Sequence, residues 1–421
     1  MLWAGLSTSS VGDQLGIVAI AWIAVDAFGA AAGYLTALQA GITVVAGLLV
    51  ARWTDGLNER WLMIAADTAR AAVLGAVVAV WAVTGHATVT ALIVLVTALA
   101  VGQATFRPAV QAIMPDVAPS VAMLPALNAL LDGTERLARL GGPALIVLIA
   151  SRLPTMHFLT LDAISFLVSA GALFAIGRRP TRSVRARVSL ASTMVRGFRV
   201  LRRDRLLRFL LHTSGISNGA WYAAMFLGVP LMLARNGHTG ADGIRAFGAV
   251  VASYGITNFA ANVIVGSRSL PRAPGRMILC GNLLTGGGIV LMGASGLVPS
   301  APVWGICLAA AVAGGGGPIN DIPRTTLMQT VPPPADVAAA FRAWLVMANV
   351  GVLIGLAAAP TLFDAVGAPV GIAMLGGAMV IVAVAGLLRC LDGTVVAENL
   401  SDHVGAPDQS GWLRAEAPPP R

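Results

Sequence analysis

The chain has 421 residues, of which 57% are hydrophobic and only 11% are charged. A soluble domain carries about a quarter charged residues, so this composition excludes a water-soluble fold and favours burial in lipid. The net charge of +9 comes from arginine alone, and in a membrane protein such an excess marks cytoplasmic loops rather than a nucleic-acid surface. The three cysteines fit neither a disulfide framework nor a metal site, and no nucleotide-binding loop is present, so we expect no cofactor and no enzymatic activity.

Long apolar runs rich in Ala, Leu, Val and Gly predict helices, because a spanning segment must satisfy its own backbone hydrogen bonds. A helix needs about 20 apolar residues to cross the hydrocarbon core. The sequence predicts an all-α membrane protein with twelve such helices, near residues 2–27, 30–52, 61–84, 87–106, 124–151, 157–177, 209–234, 244–267, 277–297, 302–322, 338–364 and 367–389.

The predicted spans fall into two groups of six. We predict an N-terminal half (1–177), an arginine-rich cytoplasmic linker (178–208), a C-terminal half (209–389) and a disordered cytoplasmic tail (390–421). The eleven arginines of the linker either fix the topology of the chain or contact anionic membrane lipids.

The arginines are distributed unevenly between the two sides of the membrane. If both termini lie inside, the outer loops hold only Arg152, Arg235 and Arg245. The inner loops hold Arg52, Arg60, Arg107, the cluster from Arg178 to Arg208, Arg268, Arg272, Arg276 and Arg324. By the positive-inside rule, this asymmetry predicts a multi-pass protein of the bacterial inner membrane with both termini in the cytoplasm.

The two halves look like an internal duplication. A shift of 217 residues brings several arginines and prolines into register at equivalent ends of equivalent spans: Arg107 with Arg324, Pro115 with Pro332, and Pro143 with Pro360. Repeats packed around a central axis are how many secondary transporters build a site near the middle of the membrane.

Charged side chains inside a membrane are costly and mark functional sites. Asp13 lies roughly 16 Å into the first span, near the middle of the membrane. Its small neighbours Ser9, Gly12 and Gly16 predict close packing toward the bundle interior. Desolvation favours a neutral carboxyl group, so Asp13 is a candidate for proton coupling, and the alternative is a structural hydrogen-bond acceptor.

Span five carries two acid–base pairs at a spacing of four residues, Asp132 with Arg136 and Glu135 with Arg139. Such pairs meet on one face of a helix and neutralise each other in apolar surroundings. They are either a proton-coupling network linked to the first span or a self-paired structural cluster near the cytoplasmic mouth.

Neutral polar and aromatic side chains replace these charges in the second half. They form stripes along spans seven and eight, where aromatic faces suit the apolar parts of a substrate and amides orient it. The alternative is ordinary hydrogen bonding between helices. The candidate cavity residues are Ser217, Asn218, Trp221, Tyr222, Tyr254, Asn258, Asn262 and, in span ten, Asn320.

Four segments carry a family resemblance: STSSVGDQLGIVAIAW, ARWTDGLNERWLMIAADTARA, FRPAVQAIMPDVAP and LDAISFLVSAGAL. They resemble the first helix, the loop between helices two and three, the stretch between helices four and five, and the sixth helix of the major facilitator superfamily. Within it they are similar to the drug- and metabolite-efflux branch that includes macrolide and enterobactin exporters. The resemblance reaches to about residue 390 and implies the major facilitator fold, alternating access and export.

The resemblance also implies a gating role for the loop after the second span. Asp55 and Arg60 match the family's signature loop, and the family pattern implies that Arg342 contacts Asp55 across the halves. Asp67 and Arg70, three residues apart in the third span, are expected to pair near the cytoplasmic end.

Together these observations predict a monomeric transporter that exports a drug, siderophore or other small amphipathic metabolite by proton antiport. An importer with the same fold is the alternative. A non-transporting sensor or lipid-handling protein is a third reading, which the duplicated halves and the lack of an appended soluble domain disfavour.

Overall fold

The computed structural model describes residues 2–53, 57–117, 124–175, 190–268, 271, 273–298, 302–333, 336–389 and 391. Within these ranges every regular element is helical, which confirms the predicted all-α fold. The first half consists of α1 (Leu2–Phe28), α2 (Ala32–Trp53), α3 (Glu59–Thr84), α4 (Val89–Val117), α5 (Leu124–Ile149) and α6 (Met156–Ala175). These bounds follow the predicted spans, except that α4 continues about three turns beyond residue 106.

The second half begins with α7 (Leu190–Leu201), which is too short to cross a membrane. Span seven follows as α8 (Arg205–Ala223), a π-helical segment (Ala224–Gly228) and α9 (Val229–Arg235). The remaining spans are α10 (Gly240–Gly266), α11 (Pro274–Ser295), α12 (Val303–Thr330), α13 (Val337–Val366) and α14 (Ala368–Leu388).

Ten stretches of the described chain are long and apolar enough to span a membrane. The first covers α1 and α2 together, from Trp3 to Ala46. The charged helix α5 is not among the ten, because it carries two acids and two arginines. Counted individually, the described helices of membrane-spanning length are the twelve that the sequence predicts.

Part of the predicted linker is helical, which the sequence reasoning did not anticipate. Helix α7 packs against the start of α13, where Gly197 lies directly on the backbone carbonyl of Ala339. Arg196 forms an ion pair with Asp336 at the same place. Because α7 is short and rich in polar residues, a search for membrane-length apolar runs overlooks it.

Short polar signals set several helix ends. The Asn58 side chain accepts hydrogen bonds from the backbone N–H groups of Arg60 and Trp61 and so caps the start of α3. Gly85 ends α3 in the left-handed region, with φ of 76°. The Asp204 side chain caps α8 by accepting from the Leu207 N–H at 2.7 Å. These caps fix where α3 and α8 begin, and both helices contribute to the site described below.

The two halves repeat one packing pattern, which confirms the predicted duplication. In the first half α1 packs against α5 and α6, α2 against α4, and α3 against α4 and α6. In the second half α8 packs against α13 and α14, α10 against α12, and α11 against α12 and α14. The halves meet through two equivalent pairs, α2 with α13 and α5 with α10.

Helices α8 and α13 approach each other more closely than side chains would allow. Gly215 and Gly219 of α8 face Gly351 and Gly355 of α13 with their backbones in contact. A Cβ atom at Gly351 would overlap the Gly215 backbone. These four glycines therefore allow span seven and span eleven to pack with their backbones in direct contact.

Candidate functional site

A cavity of about 550 Å³ lies between the two halves. Helices α8, α10, α11 and α12 of the second half supply most of its wall, and Gln14, Arg139 and Leu140 contribute from the first half. All eight side chains that the sequence nominated for a substrate cavity line it: Ser217, Asn218, Trp221, Tyr222, Tyr254, Asn258, Asn262 and Asn320. The structure thus brings this predicted set together, while its role in substrate binding remains a proposal.

Aromatic rings form one wall of the cavity. The Trp221 ring lies 4.8 Å from Tyr222, 5.5 Å from Tyr254 and 5.6 Å from Phe226, measured between ring centroids. Phe226 belongs to the π-helical segment, whose extra residue per turn carries it round to the same face as Trp221. Edge-to-face and tilted packing of this kind gives a rigid apolar surface that suits a planar group of a ligand.

Amide side chains also line the cavity, and two of them are hydrogen-bonded to backbone carbonyls. Asn258 donates to the carbonyl of Gly314, and Asn320 donates to the carbonyl of Ile278, both at 3.2 Å. Each bond runs to a neighbouring helix. These two amides therefore also make the hydrogen bonds between helices that the sequence left open as an alternative role. The Ser217 hydroxyl oxygen is buried and makes no hydrogen bond within the described part of the chain.

The cavity extends toward the end of the bundle that carries the chain termini. Asn262 and Thr326 both line it, and each lies about one turn from that end of α10 or α12. At the opposite end the halves are in direct contact. Trp22 of α1 packs on Gly243 of α10, leaving no room for a Cβ atom, and Gly33 of α2 packs on Pro360 of α13. The cavity is therefore closed on the side away from the termini.

Two arginines share one carboxylate at the edge of the cavity. Glu135 Oε2 lies 3.9 Å from Arg139 Nη2, as the four-residue spacing predicts, and 3.4 Å from Arg107 Nη2. Arg107 comes from α4, 28 positions away in sequence, so the span-five pair is not closed on itself. The side chains of Asp132 and Arg136 lie outside the described residues.

A second charged pair lines the cavity from α12 of the second half. Arg324 Nη2 is 2.8 Å from Asp321 Oδ1, and Arg324 Nη1 donates to Asn320 Oδ1 at 2.7 Å. The guanidinium also covers the Trp344 ring at 4.1 Å. The charge of Arg324 is thus balanced by Asp321, and its planar face is covered by Trp344.

An acidic cluster lies between α1, α3 and α6 of the first half. Arg70 forms a buried ion pair with Asp67, at the three-residue spacing noted in the sequence, and its Nη1 atom lies 3.8 Å from Asp13 Oδ1. The pair therefore lies beside Asp13 and not, as the sequence suggested, near the cytoplasmic end of the span. The guanidinium is held over the rings of Phe166 at 4.0 Å and Phe106 at 5.0 Å. Within the described residues, Arg70 is the cation that these carboxylates share.

Asp162 of α6 completes this cluster, and the sequence reasoning missed it. Its side chain is 1% exposed and packs on Gly12 and Gly16, where a Cβ atom on either glycine would collide with it. The Ser165 hydroxyl contacts Asp162 Oδ1 at 3.4 Å. An aspartate within a twenty-residue apolar span marks Asp162 itself as a candidate, although its partners come from distant parts of the chain.

The cluster therefore holds three carboxyl groups and one guanidinium. Asp67 is fully buried and Asp162 nearly so, whereas the Asp13 side chain is 37% exposed. Asp13 is the most exposed member of the cluster, and Arg107 and Glu135 lie close enough for their charges to act on it. Since α1 carries Asp13 and the cavity residue Gln14 side by side, one helix links the cluster to the cavity wall.

The predicted gate of Asp55, Arg60 and Arg342 lies only partly within the described residues. Asp55 lies outside the described residues, so its predicted contact with Arg342 is not described, and the Arg342 side chain is exposed at the start of α13. Arg60 instead donates to the carbonyls of Leu173 and Phe174, at 2.7 and 2.6 Å, and so caps the end of α6. Within the described ranges no group of His, Cys, Asp or Glu is arranged to hold a metal ion.

Comparison with known proteins agrees with this architecture. The sequence profile described as Major Facilitator Superfamily matches residues 2–272, and no curated protein sequence matches the chain. The solved nucleoside transporter NupG is 13% identical with a TM-score of 0.72, over 92% of this chain and 98% of that one. A POT family transporter in complex with 5-aminolevulinic acid is 12% identical with a TM-score of 0.69, over 92% and 95%. At such identities the likeness shows the fold alone.

Proposed function

Because the chain belongs to the Major Facilitator Superfamily, we propose that it is a secondary active transporter that exports a small amphipathic organic compound in exchange for protons. It spans the membrane many times, and we place it in the bacterial inner membrane as a monomer with both termini in the cytoplasm. The arginine asymmetry of the loops supports this orientation.

The cavity supports a transport role. It lies between two repeated halves and combines an aromatic wall with amide side chains. Within the described residues it extends toward the end of the bundle that carries the termini and is closed at the other end. Closure at one end is what one state of an alternating-access cycle requires. In the proposed orientation the cavity is accessible from the cytoplasm, the side from which an exporter collects its cargo.

The observation that carries proton coupling is the charge of the acidic cluster. Three carboxyl groups, Asp13, Asp67 and Asp162, share Arg70 as their cation. Uncompensated buried charge is costly, so protons bind to part of these carboxylates and neutralise part of the negative charge of the cluster. Asp13 is the member that can exchange a proton with water in the bundle, because the other two are enclosed.

The helix α1 connects proton binding with substrate binding. Asp13 faces Arg70 while its neighbour Gln14 lines the cavity, so a shift of α1 away from α3 alters both sites together. We propose that loss of the Asp13 charge weakens its hold on Arg70 and permits this shift. The direction of transport rests on the resemblance to exporters, and an importer uses the same cycle in reverse.

The first experiment identifies the substrate and the direction. Small molecules in the medium and in the cells are compared with and without this gene, in iron-rich and iron-poor growth. A compound that accumulates inside and disappears from the medium when the gene is deleted establishes export. The reverse pattern shows import, and no change in any compound counts against a natural metabolite as cargo.

The second experiment tests the coupling residue, using inverted membrane vesicles in which uphill substrate uptake is driven by a proton gradient. We expect Asp13→Asn to abolish uphill uptake while substrate exchange without a gradient persists. Asp162→Asn should retain uphill uptake, since an enclosed group does not exchange the proton. Asp26→Asn is a control on the same helix, because Asp26 is exposed and lies outside the cluster. Normal uphill uptake by Asp13→Asn would exclude Asp13 as the coupling site.

A further inference from the structure

The charged side chains that line the cavity are few. Among the described lining residues they are Arg139 on the side of the first half, and Asp321 and Arg324 on the side of the second half. The carboxylates of the acidic cluster do not line the cavity. The electrostatic character of the binding space is therefore decided by these three residues.

Arg324 contributes no free positive charge. Its two terminal nitrogens are taken up by Asp321 and Asn320, at 2.8 and 2.7 Å, and its face is covered by the Trp344 ring. The charge of Arg324 is therefore balanced locally by Asp321. A ligand gains little from Arg324 without first breaking this arrangement.

Arg139 is in a different position. Its carboxylate partner, Glu135, lies 3.9 Å away at the limit of an ion pair and is closer to Arg107, at 3.4 Å. Within the described residues, one carboxylate therefore serves two guanidinium groups, and Arg139 is the more distant of the two. The Arg139 side chain is 57% exposed even though the residue lies well inside α5.

Arg139 adjoins the aromatic wall. Its backbone contacts Gly255, the neighbour of Tyr254 in α10, and Arg139 lines the same cavity as Tyr222 and Tyr254, the two rings that flank Trp221. The unpartnered hydroxyl of Ser217 lies one helical turn from Trp221 on the same face of α8. A weakly paired cation, a buried hydroxyl without a described hydrogen bond and a planar apolar surface thus adjoin one space.

We propose that the cavity selects small amphipathic organic anions, with an acidic group paired to Arg139 and a planar apolar part on Trp221 and Tyr254. This inference rests on the proposed transport site and names its substrate class. It fits the proposed direction as well, because a membrane potential that is negative inside favours the outward movement of an anion.

The test uses three probes that share one ring system and differ in charge: 2-naphthoate, 2-naphthamide and 2-naphthylmethylammonium. Their affinities for the purified full-length protein in detergent are measured by titration calorimetry. We expect naphthoate to bind roughly tenfold or more tightly than the amide, the effect of one charge-assisted hydrogen bond, and the ammonium probe to bind least well.

Variants assign the preference to a residue. Arg139→Gln should bind naphthoate and naphthamide alike, while Arg139→Lys should retain part of the preference because it keeps the charge. Arg235→Gln is the matched control, since Arg235 faces Asp364 at the opposite end of the bundle. Each variant is first shown to elute as a single species, so a folding defect is not mistaken for lost binding.

Two results would overturn the inference: no binding of naphthoate at millimolar concentration, or a preference for the anion that survives in Arg139→Gln. Neither depends on proton coupling. If the protein prefers naphthoate but shows no proton-driven uptake, the anion site is supported and the proposed coupling is refuted. If it couples to protons without this preference, only the anion site is refuted.

Discussion

Replacement of Arg70 by glutamine is the sharpest test of the acidic cluster. Arg70 is 4% exposed in its side chain and is the described cation that faces Asp67, Asp13 and Asp162. Glutamine keeps much of the volume and some hydrogen bonding but removes the charge. We expect Arg70→Gln to destabilise the folded protein strongly at neutral pH.

The size of the effect follows from the charge left behind. Breaking a buried ion pair costs about 3–5 kcal/mol, because one charge remains uncompensated. The carboxylate escapes that cost by taking up a proton, and protonating a group with an ordinary pKa of about 3.9 costs about 4 kcal/mol at pH 7. The same step costs about 1.5 kcal/mol at pH 5. The stability deficit of the variant should therefore shrink as the pH falls.

The assay is unfolding of purified protein in mixed micelles at pH 5 and pH 7, followed by tryptophan fluorescence. The double variant Arg70→Gln, Asp67→Asn removes both charges of the buried pair and should recover most of the lost stability at pH 7. A single variant as stable as the natural protein, or a double variant no better than the single one, would refute the account of the cluster as a charge-balanced unit.

Two further predictions concern packing and capping. Gly351→Val should abolish folded expression, because its side chain would occupy the backbone of Gly215, whereas Gly377→Ala, with open space around its Cβ position, should express normally; fluorescence size-exclusion profiles distinguish the two. Arg60→Gln should cost about 1.5–3 kcal/mol, the value of hydrogen bonds from a charged donor, since the last carbonyls of α6 lose their partner; thermal melts in detergent measure it, and an unchanged melting temperature would show that the cap is dispensable.

Much of the fold is predictable because its determinants are local. The length of an apolar run fixes a membrane span, and repeated positions such as Pro143 and Pro360 reveal the duplication before any coordinates exist. The cavity stripe of α10 is equally local, since Tyr254 and Asn258 are four residues apart and must share one face of a helix.

What sequence reasoning missed depends on contacts between distant segments. Asp162 acquires its surroundings from Gly12 and Gly16, nearly 150 positions earlier, and nothing beside it in the chain announces that contact. The sharing of Glu135 between Arg139 and Arg107 joins two helices in the same way. The π-helical segment likewise gives no pattern that differs from an ordinary apolar helix.

The two repeats carry different groups of polar side chains. Ionisable groups of the cluster, such as Asp13 and Asp67, belong to the first copy, while the aromatic and amide wall, with Trp221 and Asn258, belongs to the second. The two copies have therefore diverged in their polar side chains. Under the proposed mechanism, substitutions in the wall of the second copy alter which cargo is accepted and leave the acidic cluster intact. Such a layout would let a lineage acquire new substrates by small steps that do not alter the proposed coupling.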